Sequence, residues 1–173
     1  MSDFALQPHL MGDLLELRPL RPEDWDALFA AGSDPLIWEQ HPDRERYKEE
    51  YFKEYFRGAL ESRGAFAAID RKTKKIVGSS RYCGYNPGKR EIEIGWTFLA
   101  RSHWGGHYNG EMKHLMLGHA FKFVDSVLFV VGVNNLRSQK AVEKIGGVVI
   151  GRRPEESHGK IFEHLVFQIK KPA

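Results

Sequence analysis

The chain has 173 residues, 42% of them hydrophobic and 28% charged, the proportions of an ordinary globular protein whose length suits one domain around one core. The formal net charge of +3 is compatible with an anionic ligand but too small to imply nucleic acid, and no apolar run approaches the ~20 residues that span a bilayer. A single cysteine, Cys83, excludes an internal disulfide and a cysteine-based metal cluster. The N-terminus has no basic stretch leading into an apolar core, so the cytoplasm is the expected location.

In chain order, Leu14–Leu20 reads as a strand. Pro22-Glu23-Asp24 then opens a helix through Trp25, Leu28 and Phe29, with proline and acids placed where a first turn favours them. After a break at Gly32–Pro35, the aromatic positions Tyr47, Tyr51, Phe52, Tyr55 and Phe56 recur at helical spacing and predict a helix over Asp43–Leu60. Ala65–Asp70, Ile76–Tyr85 and Glu91–Leu99 read as strands joined by Arg71–Lys75 and Asn86–Arg90. The first connection is charged and the second carries Asn-Pro-Gly, so both suit hairpin turns.

A helix follows over Asn109–Asp125, then a short continuous apolar strand, Val127–Val133, of the buried type. Asn135–Ile145 is a second helix of this half, stopped by Gly146-Gly147, and Val148–Arg152 and Ile161–Ile169 complete the chain as strands. Antiparallel hairpins leading into α/β crossovers predict a mixed sheet with helices on both sides. A doubly wound parallel sheet does not fit.

Residues Arg101–Met112 lie between a strand and an amphipathic helix and carry Gly105, Gly106 and Gly110. A glycine-bearing turn there leaves backbone N–H groups unpaired at the helix N-terminus, which suits a phosphate or pyrophosphate. A plain tight turn is the alternative from this stretch alone. About 25 residues on, strand Val127–Val133 runs into Asn135-Leu136-Arg137-Ser138 and then Glu143-Lys144-Ile145-Gly146.

This ordered set resembles the GNAT N-acetyltransferase superfamily, and within it the RimJ/RimL-like branch. Trp104–Asn109 holds the place of the family's loop opening the pyrophosphate-binding helix. Asn135–Ser138 holds its Asn-x-x-Ser, and Glu143–Gly146 its Glu-Lys-x-Gly. Leu17-Arg18-Pro19-Leu20, Ile76-Val77-Gly78 and Glu93-Ile94-Gly95-Trp96 look like its strands, so the resemblance covers nearly the whole chain. It implies one GNAT domain over residues 1–173. The implied fold is α/β, with a central mixed, mostly antiparallel sheet of six to seven strands flanked by about four helices on both faces.

The resemblance further implies acetyl-CoA as co-substrate, held by Thr97, Phe98, Leu99, Trp104, Gly105, Gly106, His107, Tyr108, Asn109, Gly110, Asn135 and Ser138. In relatives an irregular strand splays from its neighbour where Thr97–Leu99 stands here, and receives the acetyl oxygen and the pantetheine. Two departures stand out. Trp104, His107 and Asn109 occupy the defining positions of the superfamily loop, and Val142 stands where many relatives place an acidic tyrosine. Ser138, near the thioester by analogy, is the candidate catalytic hydroxyl, with a helix-surface serine as the alternative.

Along Glu91–Phe98, apolar residues alternate with Glu91, Glu93, Gly95 and Thr97. If the polar face fronts the cleft, Glu93 is the candidate base; the same pattern equally fits a solvated strand carboxylate. Trp38, Arg81 and Tyr82 fall in the region that walls the acceptor site in the superfamily. Arg81 would anchor a carboxylate or carbonyl and Trp38 would stack, against the simpler readings of a salt bridge and core packing.

His103 and His107 bracket Gly105-Gly106 rather than lying on a helix, so no metal is expected. The expected acceptor is an amine on a small molecule or a protein N-terminus. Neither nucleic acid nor membrane is expected as a partner, and a homodimer is a candidate assembly. A non-catalytic acyl-CoA-binding sensor is the competing class.

Overall fold

The computed structural model describes residues 4–173. Among them, eight strands form one sheet in the order β1-β2-β3-β4-β5-β6-β8-β7. The strands are β1 (Leu10–Met11), β2 (Leu15–Pro19), β3 (Ala65–Asp70), β4 (Ile76–Asn86), β5 (Glu91–Leu99), β6 (Ser126–Gly132), β7 (Val148–Ser157) and β8 (Lys160–Lys170). The helices are α1 (Trp25–Gly32), α2 (Glu49–Ser62), α3 (Tyr108–Ala120) and α4 (Leu136–Lys144). Every pairing is antiparallel except β5 with β6. The mixed, mostly antiparallel sheet matches expectation. The eighth strand is the two-residue β1, too short to show a period-two pattern in the sequence.

Alternation along the strands divides the core in two. Phe66, Ala68, Tyr82, Ile92 and Ile94 pack with Met112 and Met116 of α3 and Val142 of α4. Ala65, Ala67 and Phe98 pack on the other face with Leu28 of α1 and Phe52, Tyr55 and Phe56 of α2. These side chains are all nearly inaccessible to solvent, each contributing about 1.5–3 kcal/mol for the larger ones.

Three boundaries depart from the sequence reading. α2 begins at Glu49 rather than Asp43. Residues 43–48 instead form turns, with Arg46 N–H donating to the Asp43 carbonyl and Lys48 N–H to that of Glu45, because Arg46 is drawn inward among aromatic rings. α3 ends at Ala120 rather than Asp125; Asp125 is taken up by Arg90, which donates to its carboxylate while the Asp125 N–H reaches the Arg90 carbonyl. β7 runs to Ser157 rather than Arg152. It is the sheet's edge strand, where the missing N–H of Pro154 is tolerated, and His158-Gly159, at φ 50° and 77°, make a two-residue turn into β8.

Candidate active site

β5 and β6 pair only over Glu91–Glu93 with Ser126–Leu128. Beyond that point Ile94–Leu99 stays with β4 and Phe129–Gly132 stays with β8. Two parallel neighbours held by different partners must part, and a cleft of about 560 Å³ opens between them.

The parting is reinforced by a bulge in β5. Ser79 pairs with Phe98 and Arg81 with Gly95, so Trp96 and Thr97 together face Ser80. Trp96 takes the left-handed region at φ 57°, a conformation that costs about 1–2 kcal/mol for a residue bearing a Cβ. The Tyr55 hydroxyl donates to the Trp96 carbonyl at 2.6 Å, and Thr97 Oγ1 meets Ser80 Oγ at 2.8 Å. The bulge also breaks the simple alternation expected along Glu91–Phe98.

The loop before α3 forms one lip. Trp104 donates its indole N–H to the Leu99 carbonyl at 2.8 Å, and Gly105 has φ 74°, where glycine carries no steric cost. A Cβ added at Gly106 would meet nothing within 4 Å, so this lip is open to a close ligand. His107 makes no side-chain cap. Glu111, in the first turn, is turned away to accept from the backbone N–H groups of Leu14 and Leu15. The leading amides of α3 are thus left for a ligand, where the helix dipole favours an anion. Lys113, one turn further in, is buried in the cleft wall over the Phe129 ring at 5.3 Å. Burial lowers its pKa to about 8.

The opposite lip is the start of α4. Asn135 caps it through Oδ1, which accepts from Ser138 N–H at 3.4 Å, and its own N–H reaches the Gly132 carbonyl. Arg137 reaches across to Trp104, its guanidinium carbon 4.3 Å from the indole centroid.

The third wall comes from the α1/α2 side and from β8. Trp38, His41, Arg46 and Trp96 line it, and His164 lies alongside. His164 Nδ1–H donates to the Phe162 carbonyl at 3.0 Å, which leaves Nε2 with a free lone pair. His41 Nδ1 accepts from Asp43 N–H at 2.9 Å. Its enclosure by protein, with Arg46 and His164 close by, holds its pKa well below the usual histidine value.

Most of the residues expected at the site converge there. Thr97, Phe98, Leu99, Trp104, Gly105, Gly106, Asn109, Asn135, Ser138 and Trp38 all line the cleft; His107, Tyr108 and Gly110 do not. Tyr108 packs edge-on against His103, whose Nε2 lies 2.8 Å from Asp70 Oδ2. Glu93 sits just below the point of parting and accepts from Arg153 at 2.8 Å. Its other carboxylate oxygen is near Gly95 at the cleft's edge.

Two acceptor-side expectations need correction. Tyr82 does not face the cleft: it pairs with Ile94 on the α3 side of the sheet and donates its hydroxyl to the Met116 carbonyl. It is the neighbour of Arg81, and adjacent strand residues point to opposite faces. Arg81 forms no salt bridge among the described residues; its Nη2 donates to the Tyr55 carbonyl at 3.2 Å, and its guanidinium lies 4.4 Å from the Trp96 centroid.

The sequence reading assigned no role to Arg46, His41, His164, Lys113 or Arg137, all of which line the cleft. Arg137 fills a variable position of the Asn135–Ser138 motif and the others lie in no local motif. Their convergence on the cleft, from a loop, a strand and two helices, reveals them. Among the described residues there is no group of three or more His, Cys, Asp or Glu placed to hold a metal ion, and no helix is long and apolar enough to cross a membrane.

A parted parallel strand pair, a bulge at its edge and an uncapped helix N-terminus on one lip together form the cleft. The sequence profile of the acetyltransferase (GNAT) domain family matches residues 15–148, and the chain belongs to that family. No curated protein matches the sequence. Among solved structures, the chain is similar to a T. thermophilus protein provisionally described as an acetyltransferase (26% identity, TM-score 0.80, 98% of this chain and 92% of that one). It also shares its fold with a Vibrio cholerae protein provisionally described as a ribosomal-protein-serine acetyltransferase (13% identity, TM-score 0.73, 95% and 98% of the two chains). A third similar fold is that of spermidine N-acetyltransferase from Vibrio cholerae, solved with CoA and spermine (19% identity, TM-score 0.70, 92% and 96%).

Proposed function

We propose that the protein transfers acetyl from acetyl-CoA to a primary amine by direct attack within a ternary complex, as a single-domain cytoplasmic enzyme of the RimJ/RimL-like kind. The observation that carries this reading is the cleft itself: the walls that would hold the cofactor and the acceptor meet at the Trp96–Thr97 bulge. The family's general use of acetyl-CoA and the Trp-Gly-Gly and Asn-x-x-Ser stretches support the cofactor. The branch rests on the sequence motifs and on the shared fold with the ribosomal-protein-serine acetyltransferase candidate.

The uncapped amides at the start of α3 and the Arg137 guanidinium hold the pyrophosphate, and Thr97–Leu99 with Asn135 hold the pantetheine and acyl carbonyl. The attacking amine must be neutral. A C–N bond forms, the C–S bond breaks, one amine proton leaves and the departing sulfur needs a hydrogen-bond donor. His164 Nε2 takes the amine proton, being a free lone pair on the cleft wall. Glu93, held by Arg153 at the cleft's edge, is the second base candidate and would act through water. The Ser138 hydroxyl donates toward the sulfur, and among the described residues no tyrosine lines the cleft to compete for that role.

Thiol release from acetyl-CoA over an amine panel, measured against pH, tests this assignment. His164→Gln is expected to lower kcat at least 10²-fold, Ser138→Ala to lower kcat about tenfold, and Glu93→Gln to have the smaller effect of the two base variants. A Glu93→Gln loss exceeding that of His164→Gln would move the base to Glu93. Absence of release from any amine, in protein that binds acetyl-CoA, would favour a binding domain.

A further inference from the structure

The acceptor wall carries an unusual charge balance. Arg46 is only 7% exposed and Arg81 5%. The Arg46 guanidinium lies 5.4, 5.2 and 5.2 Å from the ring centroids of Trp38, Tyr55 and Trp96. Its one carboxylate partner among the described residues is Asp43, at 3.3 Å, and that carboxylate is also approached by His158 at 3.4 Å. The Arg46 Nε–H is buried without a hydrogen-bond partner. Arg81 has no carboxylate partner among the described residues, and burial pushes both guanidinium pKa values down.

The surrounding groups do not restore neutrality. Glu93 contacts Arg153, which it shares with Glu155, His41 is held neutral and its Nε2 lies 3.3 Å from Arg46 Nη1, and among the described residues no aspartate or glutamate lines the cleft. Asp43 is thus the one carboxylate in contact with either buried guanidinium among the described residues, and Arg81 touches none. Removing an ion from water costs several kcal/mol unless a counter-charge meets it, and a buried N–H left unpaired costs a further ~1–3 kcal/mol. The cofactor's phosphates do not supply the counter-charge. They belong at the start of α3, on the opposite face of the sheet from Arg81, Gly95 and α2.

We propose that the acceptor is a free amino acid, whose carboxylate docks between Trp38 and Trp96 against Arg46, with Arg81 supporting the field from behind the Trp96 ring. The inference rests on the transferase reading above. A planar guanidinium suits a carboxylate through paired N–H donors, and the aromatic walls exclude the water that would otherwise screen the pair. The α-amine would then lie toward His164 and the bulge. A polyamine would meet cations and no cleft-wall carboxylate.

The test compares thiol release with a pool of free amino acids, a pool of the matching amino-acid amides, a polyamine pool and a pool of short peptides. An amide keeps the amine and side chain and loses the carboxylate. Its amine is less basic and hence more often neutral, so the comparison is biased against the proposal. We expect release from the amino-acid pool with kcat/KM at least 30-fold above the amide pool. Arg46→Met should erase that ratio mainly through KM, and it should lower the thermal midpoint, since buried Asp43 loses its cation. Should Arg46→Met fail to fold, Arg81→Met carries the same comparison. Equal or faster release from the amide or polyamine pool, or release confined to peptides, overturns the inference while leaving the transferase intact. So does the absence of amino-acid turnover in protein that binds acetyl-CoA. Absence of acetyl-CoA binding would instead sink the parent reading.

Discussion

Arg137 on α4 lies over the indole of Trp104, its guanidinium carbon 4.3 Å from the ring centroid, so the two lips of the cleft touch across its mouth. Arg137 is also tethered to Glu39 at 3.2 Å and to the Leu36 carbonyl at 3.4 Å. An arriving pyrophosphate offers this guanidinium a stronger partner than a ring, because charge-assisted pairs exceed exposed cation–π contacts. Arg137→Ala should weaken acetyl-CoA binding about tenfold, and less at high salt, as calorimetry at two ionic strengths would read.

The backbone of Trp96 is held in its left-handed conformation by the Tyr55 hydroxyl. Tyr55→Phe removes that donor and leaves a carbonyl unpaired in a part-buried setting, so stability should fall by about 1–3 kcal/mol in urea denaturation. Since the bulge shapes the acyl site, kcat should fall as well even though Tyr55 does not line the cleft.

Acid should weaken the fold through two histidines. Enclosure by protein, then Arg46 and His164, depress the pKa of His41, and burial depresses that of His119 beside the Ala5 carbonyl. Both folded values lie below the unfolded value, so the unfolded chain binds more protons as the pH falls. Stability is complete above about pH 6.5 and declines as the pH drops through the window beneath it. His41→Gln should flatten part of that decline in thermal midpoints taken across pH.

Lys113 carries the same sign at alkaline pH. Burial lowers its pKa to about 8 from 10.5, so the unfolded chain holds more protons between those values, and the folded state bears the penalty at neutral pH. Lys113→Met should therefore stabilise the unliganded protein by about 1–3 kcal/mol at pH 7, with the gain shrinking as pH rises past 8. A lysine kept at such cost on the cleft wall also predicts weaker acetyl-CoA binding in that variant.

Two strands were legible for different reasons. Glu91–Leu99 alternates in its first half, and Ala65–Asp70, buried along its whole length, stands out as a short apolar run bounded by turn residues. The cofactor half was legible for a local reason: a glycine-bearing loop before a helix and an Asn-x-x-Ser at the next are contiguous stretches with a mechanism. The acceptor half was not. Arg46 reads as one more charge in an aromatic helical pattern, yet the chain leaves the helix at 43–48 to bury it. His164 sits in an ordinary strand and matters only because β6 and β8 carry it to the cleft. Tyr82 misled because Arg81 beside it faces the acceptor wall, and the bulge at Trp96 hid which face was which.

The most direct measurement is calorimetric titration of acetyl-CoA, with desacetylated CoA alongside, into wild type and Asn135→Ala. Asn135 caps α4 and lines the cleft. The expected result is micromolar binding of both ligands to wild type and a loss of at least tenfold in Asn135→Ala. A folded wild-type protein that binds neither would contradict the acyl-CoA cleft.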